Sequence, residues 1–205
     1  MLEFVKNHLD YTKPRWGAGK TRIRYDRFEH IKRVYAWMQR IIAELSINVP
    51  IREKELHIAT IFHDVGYGVN EDNSFHAEAG AEICRNYLKE KGYEEQFIEE
   101  VIFLVTNHGR KELMPVANTP IELIVLMEAD LMDDTAALGL VMDSMIVATG
   151  DESYFTKVYE HMQSYSVKEM KDSPMITGPA KRLWKEKQDL TEEFIRQLKR
   201  DLNIE

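Results

Sequence analysis

The sequence predicts an all-α fold: a single domain with its core over about residues 24–150 and a helical extension over about 151–205. Three observations carry this. Apolar residues recur at helical spacing through most of the chain, start and stop signals bracket those stretches, and no segment alternates apolar and polar residues as a half-buried strand does. At 205 residues one core can bury roughly 70% of the unfolded chain's surface, so folding calls for neither a disulfide nor a structural metal.

The elements follow in order. Asp26 with Glu29 reads as a capping box, and Phe28, Ile31, Val34, Tyr35, Met38, Ile41, Ile42 and Leu45 then recur on one helical face. A second helix is expected from about Arg52 to His63, stopping before Gly66. A third starts near Ser74 and ends at Gly92, a residue suited to the C′ position. A fourth carries Phe97, Val101, Leu104, Val105 and His108 on one face. For the fifth, Thr119 is the expected N-cap with Pro120 at N1 and Glu122 at N3, and the pattern runs through Leu123, Leu126, Met127 and Asp130. Asp133 and Asp134 are candidate caps for the next helix. Amphipathic stretches at about 135–149, 152–169 and 179–202 complete the chain. The stripe of Leu183, Trp184, Leu190, Phe194 and Leu198 in the last of them suits packing or a homodimer contact.

Composition narrows the function. Lys and Arg number 27 against 35 Asp and Glu, a net charge of −8, which argues against a nucleic-acid polymer or a membrane surface as partner. A small anion held by a few local cations remains compatible with that balance. The lone cysteine, Cys84, excludes a disulfide framework and a cysteine-based zinc site. The N-terminal residues carry no long apolar run and no later segment approaches ~20 uninterrupted apolar residues, so the expected location is the cytoplasm.

The histidines are the informative residues. His30, His63, His76 and His108 fall on apolar helical faces, whereas His8, His57 and His161 read as surface. Asp130 shares the stripe of Leu123, Leu126 and Met127, with no Lys or Arg one turn away, and Asp64 follows His63 directly. A single buried histidine is ordinarily a hydrogen-bonded core residue. A desolvated carboxylate is harder to accommodate, because it needs a cation or several donors. Several imidazoles and two carboxylates converging in one helical core compensate each other if a divalent ion lies among them. Mixed nitrogen and oxygen donors suit Mn, Fe, Mg, Co or Zn, and positions left to water are the mark of a catalytic rather than a structural site.

In that order, His30, His63-Asp64 and Asp130 resemble the H…HD…D signature of the HD superfamily of metal-dependent phosphohydrolases. The stretch Ala59-Thr60-Ile61-Phe62-His63-Asp64-Val65-Gly66 resembles the end of that family's HD helix. His76-Ala77-Glu78-Ala79-Gly80-Ala81, Asn107-His108 and Glu128-Ala129-Asp130-Leu131-Met132-Asp133 resemble three further family segments. Met175-Ile176-Thr177 and the helix over Ala180–Arg200 resemble the close of stand-alone bacterial members, so the resemblance runs from about Arg24 to Leu202. It implies an HD-domain helical bundle with additional C-terminal helices. It also implies His30, His63, Asp64 and Asp130 as ligands of one metal, with Asp64 able to bridge to a second. His76 and His108 match the extra histidines of binuclear members, and the alternative is a mononuclear site that they flank or from which they face phosphate. One or two ions per chain follow.

Two departures bear on substrate rather than on metal. Met132 stands where an arginine or similar polar residue is frequent, and no acidic residue follows closely after His63-Asp64. Glu71 and Asp72 come later and are the candidate general acid, beside Asp64 as the essential carboxylate. Arg24 and Arg27, in a basic run with Lys20 and Arg22, and Arg110 with Lys111 are the candidate phosphate clamps. Gly17-Ala18-Gly19-Lys20-Thr21 is not a nucleotide-cradling loop, because Pro14 occupies its first glycine position and no strand precedes it. The resemblance thus implies hydrolysis of a phosphate ester or anhydride, with a nucleotide or other phosphorylated small molecule as substrate. HD-type di-iron oxygenases and non-catalytic nucleotide-binding HD sensors are the alternatives.

Overall fold

Ten helices are formed among the described residues of a computed structural model. These are residues 1–10, 15–16, 23–24, 26–45, 49–69, 75–150 and 154–204, with residues 10, 15, 16, 23 and 24 described by backbone alone. The helices are α1 (Leu2–Asp10), α2 (Arg27–Leu45), α3 (Glu53–Phe62), α4 (His76–Glu90), α5 (Glu95–Asn107), α6 (Ile121–Met132), α7 (Ala137–Ala148), α8 (Phe155–Ser164), α9 (Ser166–Met170) and α10 (Gly178–Asp201). The fold is all-α, as the helical periodicity predicts. Two elements depart from that reading. α1 is a helix the periodicity did not single out. β1 (Arg15–Trp16) and β2 (Ile23–Arg24) pair antiparallel as a two-residue ribbon, too short to show as alternation. Among the described residues no helix is long and apolar enough to cross a membrane.

The chain forms two compact units. The first holds α1 to α6 as far as Asp130; the second holds the ribbon and the residues from Leu131 onward. The core of the second unit is Leu140, Met162 and Ile195, with Val158, Tyr159, Val167 and Leu198 packed against them. Thr177 caps α10, its Oγ1 accepting from the Ala180 N–H at 3.3 Å. The α7 helix begins instead from Ala136, at φ 54°, with no side-chain cap, so neither Asp133 nor Asp134 fills the capping role expected of it.

The start of α2 follows the sequence. Asp26 Oδ1 accepts from the N–H groups of Phe28 and Glu29 at 3.0 and 3.1 Å, and Ile31, Val34, Met38, Ile41 and Ile42 are buried. The end of α4 follows it too: Gly92 sits at φ 75°, its N–H donates to Lys89 O at 3.0 Å, and Tyr93 N–H donates to Leu88 O at 3.1 Å. That is the paired bonding of a Schellman turn, in which only glycine takes the left-handed position without strain. The start of α6 differs. Thr119 Oγ1 donates to Leu113 O at 2.8 Å instead of capping, and the Pro120 carbonyl accepts from the N–H groups of Leu123 and Ile124. Glu122 reaches beyond its own helix. It accepts from the Arg52 N–H at 2.8 Å and from the Arg52 guanidinium at 3.1 Å, tying the start of α3 to α6.

Packing around the α3–α4 junction places the residues that matter. Phe4 of α1, Phe62 of α3 and Tyr87 of α4 form an aromatic cluster with ring centroids 4.7 to 6.1 Å apart. Beyond His63 and Asp64 the chain makes a 3-10 turn over Val65–Gly68, and Gly66 lies directly on the first turn of α4. A Cβ at Gly66 would fall 1.9 Å from His76 O and 2.5 Å from Gly80 N, both backbone atoms that cannot move alone. A Cβ at Gly80 would in turn lie 3.3 Å from Gly66 N. The two glycines therefore let the turn after Asp64 touch the helix that starts with His76.

Gly66→Ala is expected to cost about 1–3 kcal/mol through overpacking and to lower Tm by several degrees. Gly109→Ala, where a Cβ meets nothing within 4 Å, is the control and should leave Tm within about a degree. Thermal unfolding followed by circular dichroism checks both; equal Tm values would refute the close-approach account.

Candidate metal centre

Five helices deliver six side chains to one place in the first unit. α2 supplies His30 one turn from its start, the end of α3 supplies His63 and Asp64, the start of α4 supplies His76, the end of α5 supplies His108, and α6 supplies Asp130. His30, His63, Asp64 and His108 are buried; His76 and Asp130 are partly so. The structure brings together all six residues that the sequence nominates as metal ligands.

They sort into two triads. His30, His63 and Asp130 offer ligand atoms within 4.8 Å of one another, and so do Asp64, His76 and His108. Asp130 Oδ1 is 3.2 Å from His30 Nε2 and 3.8 Å from His63 Nε2. Asp64 Oδ1 is 3.5 Å from His108 Nε2 and 3.7 Å from His76 Nε2. Asp64 also reaches the first triad, with Oδ2 3.4 Å from His30 Nε2 and Oδ1 3.8 Å from His63 Nε2. Its carboxylate is the group common to both.

The tautomers show what the site accepts. His63 Nδ1 lies 2.8 Å from Thr60 O, and His108 Nδ1 lies 2.6 Å from Val105 O. A carbonyl only accepts, so each Nδ1 carries a proton, which leaves Nε2 as the ligand atom that each ring turns inward. His63 Nε2 then faces His30 Nε2 at 3.4 Å, and His108 Nε2 faces His76 Nε2 at 3.3 Å. Burial pushes His63 down to about 4, despite Asp64 and Asp130 beside it, so its inward nitrogen does not take a proton at neutral pH. Converging nitrogen lone pairs and carboxylate oxygens in a buried pocket fit a divalent cation. The mixed set suits Mn, Fe, Mg, Co or Zn.

Two cations border the carboxylates. Arg27 donates to Asp64 Oδ2 at 2.9 Å, and its guanidinium lies 3.9 Å from the centroid of the Tyr67 ring. Tyr67 stacks on His76, with centroids 4.3 Å apart and planes 17° from parallel. Lys111 Nζ donates to Asp130 Oδ2 at 2.6 Å and to His108 O at 2.9 Å. Burial alone would raise both carboxyls. For Asp64 the neighbouring His63, His108 and His30 and the Arg27 guanidinium outweigh burial; for Asp130, Lys111 and the histidines do. Both are held well below the usual carboxylate range. The Asp130 partner absent from its own helix is therefore Lys111, brought from the 3-10 turn after α5.

The other nominated residues divide. Lys111 and Arg27 reach the site. Arg110 is exposed and bonds Glu112 and Asn107, at 3.2 and 3.1 Å, instead of any site residue. Arg24 is placed by its backbone in β2, while Glu71, Asp72 and the segment Gly17–Arg22 lie outside the described residues. Tyr67 escaped the sequence reading. It lies in the turn after Asp64 and carries no chemical signal in one dimension; only the stack of Arg27, Tyr67 and His76 reveals it. The histidines read as surface are in fact half-buried: His161 sits 3.3 Å from Asp143, and His57 packs on Tyr35. Cys84 is buried and its thiol is pushed up to about 12 by that burial, which removes it from nucleophilic chemistry.

The fold and site define an all-α protein with a histidine–aspartate cluster, built at helix ends, that is able to hold a metal. The family model for the HD domain matches residues 27–134, and the chain belongs to that family. No curated protein matches it. Among solved structures, an HD-superfamily hydrolase from Bacillus thuringiensis is similar at 21% identity, covering 100% of this chain and 95% of that one, with a TM-score of 0.72. A predicted HD superfamily hydrolase from an uncultured Thermotogales bacterium is 18% identical, covering 85% and 80%, with a TM-score of 0.59. Bacillus subtilis YpgQ, solved in complex with ADP, is 21% identical, covering 85% and 88%, with a TM-score of 0.58.

The His63 environment sets the acid stability of chelator-treated protein. Its folded pKa of about 4 lies below the unfolded 6.5, so below pH 6.5 the unfolded chain binds a proton the native chain refuses. That contribution is full above pH 6.5 and is lost as pH falls through 4, roughly 3 kcal/mol in all. Urea midpoints across this range should fall with pH in the wild type and much less in His63→Gln. A flat wild-type profile would show that His63 is protonated in the native state.

Proposed function

We propose that the protein is a metal-dependent phosphohydrolase acting on a phosphorylated small molecule, most simply a nucleotide, through one or two divalent ions. The observation that carries this reading is the shared Asp64 carboxylate between two triads of inward-facing donors. His30, His63 and Asp130 would hold one ion and His76 and His108 the other, with Asp64 available to both. An ion there supplies Lewis acidity and a water more acidic than bulk.

The chain's own residues prepare the site for phosphate. Asp64 and Asp130 are balanced by Arg27 and Lys111, so with neutral imidazoles these groups sum to zero. Each divalent ion adds two positive charges to that balance, and the centre becomes a place for phosphate oxygens despite the chain's net −8. Tyr67 holds the Arg27 guanidinium by its ring face, which limits the side chain to one edge of the site. Lys111, bonded to both Asp130 and the His108 carbonyl, fixes the ends of α5 and α6 relative to each other. The similarity to YpgQ, whose structure holds ADP, supports a nucleotide as the first substrate to try.

The test is metal analysis of the purified protein followed by a panel of nucleotides and phosphate monoesters with the ion found. Turnover that Asp64→Ala lowers by at least about a thousandfold is expected, together with loss of bound metal. Full activity in Asp64→Ala overturns the reading. Two irons per chain with substrate-dependent O₂ uptake would instead establish the oxygenase alternative.

A further inference from the structure

The second unit contains a cavity of about 600 Å³ bounded by α8, α9 and α10 and the turn after α9. That size falls within the roughly 300–1,000 Å³ of small-molecule sites. Its walls are of two kinds. Tyr159, Val167, Met170 and Ile195 give an apolar floor, with Met170 and Ile195 buried. Lys168, Lys171 and Lys199 stand on the walls, and none of the three holds an ion pair among the described residues. Arg196 also lines the cavity but is committed to Glu193. Glu192 is the lining carboxylate that opposes the lysines.

Three uncommitted ammonium groups around an apolar floor are unexpected in a chain of net charge −8. Like charges gathered on one cavity repel one another, and a lining of this kind is relieved by an anion. An inorganic anion would satisfy the lysines and leave the floor wet. A neutral apolar molecule would cover the floor and leave the lysines unanswered. We propose that this cavity binds an organic phosphate with an apolar body: the aromatic or alkyl part on Val167, Met170 and Ile195, the phosphate among Lys168, Lys171 and Lys199. The cavity shares no residue with the candidate metal centre and needs no metal.

Two sources share this chemistry, a nucleotide and an alkyl phosphate. The experiment is calorimetric titration of the chelator-treated full-length chain with ADP, octyl phosphate, inorganic phosphate and octyl glucoside. One saturable site per chain is expected for ADP or octyl phosphate, and which of them binds tighter identifies the source. Inorganic phosphate and octyl glucoside should bind at least about tenfold more weakly. The double variant Lys168→Glu with Lys171→Glu, exposed positions whose exchange spares the core, should weaken the better probe about tenfold or more. Met170→Gln tests the floor separately, and Arg27→Ala, in the metal centre, should leave this binding unchanged. Absence of saturable binding, equal binding of inorganic phosphate, or an unchanged affinity in the double lysine variant overturns the proposal. So does sedimentation showing that a dimer occludes the face and excludes both probes.

Discussion

The structure of the first unit turns on one buried carboxylate. Asp64 is almost fully removed from water, and an unpaired charge there would cost several kcal/mol. Arg27 of α2 donates to it directly, and imidazoles from four separate elements surround it: His30 from α2, His63 from the end of α3, His76 from α4 and His108 from the end of α5. The same demand dictates backbone features far from any charge. Asp64 meets His76 only if the turn that follows it touches the first turn of α4, and that contact requires the missing Cβ atoms of Gly66 and Gly80. The aromatic cluster of Phe4, Phe62 and Tyr87 then packs α1 against α3 and α4. A site of six side chains at helix ends is thus held by close backbone approach and apolar packing as well as by its own bonds, Lys111 to Asp130 and Arg27 to Asp64 among them.

Much of this was legible in one dimension because it depends on local rules. The apolar periods of α2 and α5, the Asp26 cap and the Gly92 turn are each set within a few residues. The candidate histidines stood out because imidazoles on apolar faces need a reason, and the order of histidines and aspartates resembles a known family. What escaped depends on partners distant in sequence. Lys111 answers Asp130 from 19 positions away, and Arg52 takes Glu122 from 70 positions away, so a residue that looks like a helix-start signal serves as a tertiary clasp. Thr119 does not cap either: its hydroxyl donates to the Leu113 carbonyl, which also accepts from the Val116 N–H. Tyr67 matters through two ring faces, and stacking leaves no periodic trace.

Charge is where composition and structure diverge most. The total of −8 describes the chain's long-range field and says little about a pocket in which each carboxylate has its own cation. The candidate metal centre is balanced as built, so on the proposed reading its attraction for phosphate would be conditional on the ions it holds. The cavity over Val167, Met170 and Ile195 is positive through side chains alone. Its attraction for an anion is permanent, and, with lysines exposed to solvent, weakens with salt. An acidic protein can therefore carry two anion-favouring places of different origin. Chelation removes the excess positive charge of the first and leaves the second untouched, while salt screens the exposed lysines more than the buried carboxylate–imidazole cluster. Phosphate affinity at the two places is separable by conditions as well as by mutation.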